Sequence, residues 1–187
     1  MTLEFFYDVA SPYTYLATTQ IEAIAADCKA KLVWRPFLLG GVMKATGNRP
    51  PAELMPRARY MANDLLRWSR YYGVPMNTLF PIWNSLLPMR VIAGTPEDQI
   101  AAITHTVFRA YWVDQKDVND LAVLTDLVGA DAVARANEQS TKDRLRANTD
   151  EAVARGAFGA PTFFVGEEMY FGNDRLPFVE QALRGQR

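Results

Sequence analysis

The spacing of apolar positions changes twice along this chain, from the alternation of strands to helical spacing and back. Residues 2–8, Thr-Leu-Glu-Phe-Phe-Tyr-Asp, alternate and are rich in aromatics, which predicts a strand. Ser11 followed by Pro12 marks a helix start, with serine at the cap and proline at the first helical position, and the helix is expected to run to about residue 27. A second apolar run, residues 31–37, follows as a strand, so the first unit reads as a right-handed parallel crossover. Residues 40–155 then take helical spacing. One helix covers 59–72 and stops at Gly73 and Pro75; others are expected from Thr95-Pro96-Glu97 to about 113, and over 118–128, 130–138 and 142–154. Pro81, Pro88 and Pro96 mark loops, and no internal repeat interrupts the pattern. The end of the chain returns to strands, 162–165 and 169–171, joined by a tight turn at 166–168. Asn173 or Asp174 is then placed to cap a last helix through about residue 183. Strands at both ends must share one sheet, so the helical stretch is inserted into a single domain: a core of 1–39 and 156–187, and an insertion of 40–155.

Composition narrows the function classes. At 187 residues the chain can bury a substantial core as one domain. With 20 basic and 21 acidic side chains and no basic cluster, it lacks the electrostatic footprint of a nucleic-acid binder. No apolar run approaches the roughly 20 residues that span a bilayer, and the amino terminus lacks the pattern of a secretory leader, so a soluble cytoplasmic protein with no membrane partner is expected. Cys28 is the only cysteine, which excludes an internal disulfide, a cysteine-built zinc site and paired-thiol redox chemistry. Cys28 falls at the polar end of the first helix, where nothing lowers a thiol pKa, and reads as inert.

Several residues could carry chemistry. Ser11 reads as an ordinary cap, yet a helix amino terminus also gathers N–H groups that favour an anion such as a thiolate. Pro161, in Phe158-Gly159-Ala160-Pro161-Thr162, reads as a trans proline opening a strand. If cis, it would expose the N–H and C=O of Ala160 as an edge for an extended peptide beside Ser11. Gly172-Asn173-Asp174 is either a plain helix start or a place where N–H groups hold a carboxylate while Asp174 holds an ammonium group. Asn48 in a Gly-Asn-Arg-Pro-Pro loop and Arg57 beyond it are either loop and surface residues or a polar lid with a cation for a second carboxylate. His105, the only histidine, lies among apolar helix residues and reads as packed core, so serine–histidine catalysis and histidine metal sites lack parts. Phe37, Trp83, Met89 and Trp112 either fill the core or line a pocket for an aromatic substrate, and the apolar stretch 80–88 either packs down or forms a pocket wall.

Five ordered segments carry a resemblance: residues 6–16 (Phe-Tyr-Asp-Val-Ala-Ser-Pro-Tyr-Thr-Tyr-Leu), 47–51 (Gly-Asn-Arg-Pro-Pro), 60–65 (Tyr-Met-Ala-Asn-Asp-Leu), 158–162 (Phe-Gly-Ala-Pro-Thr) and 172–176 (Gly-Asn-Asp-Arg-Leu). Across nearly its whole length the chain resembles the DsbA-like branch that holds kappa-class glutathione transferases and bacterial 2-hydroxychromene-2-carboxylate isomerases. The run 169–176 looks more like the isomerases. The resemblance implies an α/β, thioredoxin-like fold of the DsbA and kappa type with an inserted all-helical subdomain, and glutathione as cofactor. It implies that Ser11, standing where such folds carry their reactive cysteine, stabilises the glutathione thiolate. Ala160, before a cis Pro161, would pair with the cysteinyl backbone. Gly172, Asn173 and Asp174 would hold the γ-glutamyl end, Asn48 would touch the ligand from the insertion, and Arg57, in place of a lysine, would meet the glycyl carboxylate. The implied reaction interconverts 2-hydroxychromene-2-carboxylate and trans-o-hydroxybenzylidenepyruvate in the degradation of naphthalene-type aromatics, through reversible thiolate addition to a small aromatic substrate, in a homodimer. Two alternatives stay open: a kappa-like transferase or peroxidase, and a non-catalytic thioredoxin-like binding module.

Overall fold

A computed structural model describes residues 1–78 and 84–185. Strand β1 (Thr2–Tyr7) is followed by helices α1 (Pro12–Thr18) and α2 (Ile21–Asp27), strand β2 (Lys31–Pro36), and helix α3 (Leu39–Thr46). A 3-10 turn (Pro51–Glu53) leads into the long α4 (Met55–Tyr72), followed by α5 (Leu86–Ala93), α6 (Ile100–Trp112), α7 (Leu121–Val128), α8 (Ala130–Arg135) and α9 (Gln139–Ala154). Strands β3 (Thr162–Val165) and β4 (Glu168–Phe171), a second 3-10 turn (Asn173–Arg175) and α10 (Leu176–Leu183) complete the chain.

The four strands form one sheet in the order β2-β1-β3-β4, with β1 parallel to β2 and antiparallel to β3, and β4 antiparallel to β3. The alternation read in β1 therefore has a physical cause. Leu3, Phe5 and Tyr7 point into the larger core with α1, α5 and α6, while Phe6 points to the other face with Phe37, Val42, Ala152 and Phe164. Phe5 stacks on Phe163 directly across the β1–β3 ladder, with centroids 5.2 Å apart. On the opposite face Arg155 lies 3.7 Å over the Phe164 ring and binds Glu4 and Glu151, closing that layer with charge. No described helix is long and apolar enough to cross a membrane.

Local departures from the sequence reading have identifiable causes. The helix expected over 12–27 is two helices. Thr18 and Thr19 turn their hydroxyls back onto the carbonyls of Thr14 and Leu16, competing with the helical N–H groups, and the chain breaks before Ile21. Residues 39–46 and 86–93, unassigned from the pattern, are helical despite Gly40, Gly41 and Pro88 because both segments pack on α9. The helix expected from 95 begins only at Ile100. Neither Asn173 nor Asp174 caps the last helix with its side chain; a 3-10 turn intervenes, started at Gly172 with φ +98°, and Asp174 pairs with Arg175. His105 is not packed core: its side chain is 41% exposed, 2.5 Å from Glu22 and edge-on to Trp34. Cys28 follows the last turn of α2, its Sγ 3.9 Å from the Glu180 carbonyl.

Candidate active site

The turn at the end of β1 concentrates the chemistry. Asp8 is fully buried and caps two loops: Ala10 N–H donates to Oδ1 (2.9 Å), and Leu39 N–H (2.7 Å) and the Ser85 hydroxyl (2.9 Å) donate to Oδ2. Burial pushes its carboxyl up to about 6 against the pull of those three donors. The Asp8 carbonyl accepts from Ser11 N–H at 3.1 Å, which sets Ser11 as the cap of α1.

The Ser11 hydroxyl accepts from Thr14 N–H (3.2 Å) and donates to the Ala160 carbonyl (2.9 Å), across 149 residues of sequence. The Ala160–Pro161 peptide is cis. The edge expected at Ala160 is thus half occupied: its C=O belongs to Ser11, while its N–H has no hydrogen-bond partner among the described residues. Gly172 N–H donates to the Pro161 carbonyl (3.0 Å), and the Tyr72 hydroxyl from α4 donates to the Asn173 carbonyl (3.2 Å), so the 172–174 turn is tied both to the proline loop and to the helical insertion. Gly172 is required here. Its φ is left-handed, and an added Cβ would lie 2.5 Å from Asp174 Oδ1. Gly159 makes way for Phe171, whose ring would lie 2.6 Å from an added Cβ.

Ser11, Gly159, Ala160 and the 172–174 turn line a cleft of about 1100 Å³ between the sheet end and α4. Its walls divide by chemistry. Polar side chains come from Ser11, Asn48, Arg49, Arg57, Asp64 and Asp174, and the apolar lining includes Leu39, Met61, Trp68, Leu86 and Trp112. Among the described residues neither Arg49 nor Arg57 is ion-paired. Asp64 accepts from the Tyr13 hydroxyl at 3.1 Å; burial and that carboxylate push the Tyr13 phenol up, so it stays a donor. Asn48 spends one amide hydrogen on the Phe158 carbonyl (2.8 Å), strapping the 47–50 loop across to the proline loop, and its Oδ1 accepts from Arg49 N–H.

Of the residues singled out from sequence, Ser11, Asn48, Arg57, Ala160, Gly172, Asn173 and Asp174 line this one cleft, and Pro161 lies directly behind Ala160. Phe37 and Met89 are fully buried core, Met89 accepting the Val9 N–H on its sulfur; Trp112 lines the cleft and anchors itself through Nε1 to the Val9 carbonyl. Trp83, with 80–82, lies outside the described residues; from the rest of the stretch 80–88, Asn84, Ser85 and Leu86 line the cleft. The structure adds Asp8, Tyr13, Asp64, Tyr72 and Ser85 to the residues around the site. Asp8, Tyr13 and Asp64 fall inside the segments 6–16 and 60–65 that carry the resemblance, and Ser85 inside the apolar stretch 80–88, but nothing local distinguishes them from their neighbours.

Comparison with known proteins places these features in context. A DSBA-like thioredoxin domain model matches residues 2–184. The chain is 31% identical to the 2-hydroxychromene-2-carboxylate isomerase of Sphingobium xenophagum, over 97% of both proteins, and 32% identical to that of Pseudomonas putida, over 98% of this chain and 94% of the relative. It is 31% identical to glutathione S-transferase kappa 2 of Caenorhabditis elegans, over 97% of this chain and 91% of that protein. A solved 2-hydroxychromene-2-carboxylate isomerase superimposes with a TM-score of 0.85 at 32% identity, covering 98% of this chain and 94% of that one.

Proposed function

Because the chain belongs to the DSBA-like thioredoxin domain family, in the branch holding 2-hydroxychromene-2-carboxylate isomerases and kappa-class glutathione transferases, we propose that it is a glutathione-dependent isomerase. It interconverts 2-hydroxychromene-2-carboxylate and trans-o-hydroxybenzylidenepyruvate. The observation that carries this reading is the meeting of the Ser11 hydroxyl with the Ala160 carbonyl beside a cis proline, in a cleft whose polar side chains offer partners for the charged ends and the thiol of glutathione.

Glutathione has two carboxylates, one ammonium group, a peptide backbone and a thiol. The cleft offers two guanidinium groups without ion pairs, two carboxylates, the Ala160 N–H and a serine hydroxyl. Ser11 faces the thiol. Ala160 pairs with the cysteinyl backbone through its N–H, and its carbonyl, held by Ser11 in the free protein, becomes available to the same backbone once the Ser11 proton turns to the sulfur. Asp174, in the turn begun by Gly172 and Asn173, takes the ammonium end, and Arg57 takes the glycyl carboxylate. Asn48 holds the loop wall and keeps a second amide hydrogen for the ligand.

When bound, glutathione supplies the thiolate that adds reversibly to the conjugated substrate and lets its double bond turn. Ser11 serves that group by rotating its proton from the Ala160 carbonyl toward the sulfur while its oxygen keeps the Thr14 N–H. A hydrogen bond to an ionised group stabilises the ionised form, so Ser11 lowers the thiol pKa. The apolar wall of Leu39, Leu86 and Trp112 suits an aromatic ring and keeps water from it.

Mixing enzyme, glutathione and 2-hydroxychromene-2-carboxylate tests the reading: the ultraviolet spectrum shifts to that of the open-chain product with glutathione fully recovered. An unchanged spectrum overturns it. Stoichiometric loss of glutathione with other electrophiles assigns the chain to the transferases instead.

A further inference from the structure

We infer that Ser85 and Asp8 form a proton relay for the substrate, with Ser85 the catalytic residue that touches it and Asp8 acting through Ser85. This rests on the isomerase reading above and adds a second catalytic group to it. Asp8 has no surface of its own, so exchange with the cleft must pass through a neighbour. Its three hydrogen-bond donors are two backbone N–H groups, which are fixed, and one hydroxyl, which can pass a proton on. That hydroxyl belongs to Ser85, which lines the cleft.

Position supports the assignment. Ser11 and Ser85 hang on the same residue: Ser11 N–H sits 3.1 Å from the Asp8 carbonyl, and the Ser85 hydroxyl 2.9 Å from the Asp8 carboxylate. Ser11 and Ser85 are therefore anchored to one residue and line one cleft. Leu39 N–H shares Oδ2 with Ser85, so the relay opens on the apolar wall where the aromatic ring belongs. Burial brings the Asp8 carboxyl into the range where it both takes and returns a proton near neutral pH.

The closed substrate is a cyclic hemiketal, and opening it moves one proton. The hemiketal O–H passes its proton to Ser85 Oγ as Ser85 passes its own to Asp8 Oδ2. The electrons of that O–H bond form the new C=O, and the bond from the same carbon to the ring oxygen breaks, leaving a phenolate. The relay then runs backwards, Asp8 to Ser85 to the phenolate oxygen, and the enzyme is restored with no net gain or loss of protons. None of this requires glutathione. Ring opening and glutathione-dependent isomerisation are thus separable.

Stopped-flow absorbance of 2-hydroxychromene-2-carboxylate mixed with glutathione-free enzyme reads the relay directly. Wild type accelerates ring opening. Ser85→Ala slows it by about 100-fold, the lower end of the range of acid–base groups, with KM changed by less than about threefold. Ser85→Thr, which keeps the hydroxyl, restores most of the rate. Glutathione affinity stays within about twofold and the pKa of its bound thiol within about 0.3 unit in both variants, separating the relay from a collapse of the site. Ring opening by Ser85→Ala at the wild-type rate, or no acceleration by wild type, overturns the relay. Ring opening by wild type without glutathione-dependent isomerisation supports the relay and overturns the isomerase reading alone.

Discussion

Replacing Ser11 by alanine should cost the fold as well as the chemistry, and the two losses can be measured apart. The hydroxyl makes two bonds in the free protein: it caps Thr14 N–H and it holds the Ala160 carbonyl. Losing an N-cap costs about 1 kcal/mol. Leaving a buried carbonyl without its donor costs about 1–3 kcal/mol, and because Ala160 borders the cleft, water reaches it and the lower end applies. The sum is about 2 kcal/mol. For a chain of this size that lowers Tm by about 4–8 °C, visible in thermal melts and in urea unfolding followed by tryptophan fluorescence. If Ser11 also donates to a bound thiolate, the charged hydrogen bond it loses is worth about 1.5–3 kcal/mol, so the thiol pKa of bound glutathione rises by about 1–2 units. Thiolate absorbance against pH reads this. A variant as stable as wild type within about 0.5 kcal/mol would refute the two-bond geometry, and an unchanged thiolate titration in a destabilised variant would reduce Ser11 to a structural cap.

Two further outcomes follow from the two sides of the cleft. The folded-state carboxyl of Asp8 is raised above its unfolded value, so the stability it contributes is present below about pH 4 and is lost as pH rises through about 6, some 3 kcal/mol for a shift of about 2 units. The stability deficit of Asp8→Asn relative to wild type should therefore shrink between pH 4 and 7; a gap that widens means the three hydrogen bonds outweigh burial. At the other side of the cleft, Gly172→Ala must accommodate a left-handed φ and a Cβ against Asp174, so it should lower stability by about 1–2 kcal/mol. It should also weaken glutathione binding about tenfold by displacing that carboxylate; titration calorimetry giving wild-type affinity would remove Asp174 from the ligand site.

Strand alternation in β1 and the serine–proline start of α1 were legible because both depend on neighbours a few residues away. The same local grammar failed where distant packing intervened. Gly40 and Gly41 argue against a helix, yet α3 forms because it lies on α9, and His105 sits in an apolar run yet faces outward to Glu22. The candidate site divides the same way. Ser11, Asn48, Ala160 and Asp174 are legible at motif positions with a local conformational role, whereas Ser85 and Tyr72 gain their place in the site through bonds to Asp8 and Asn173, 77 and 101 residues away.

By itself, then, the amino-acid order determined that β1, α1, β3 and β4 exist and that a serine caps the first helix, since period and capping are properties of a few consecutive residues. Only the tertiary structure decided what that serine holds. The Ser11 hydroxyl meets the Ala160 carbonyl because β1 and β3 are paired antiparallel at the centre of the sheet, bringing the turn after one beside the turn before the other. No local rule reaches across the 149 residues between them; the burial of both faces of β1 does.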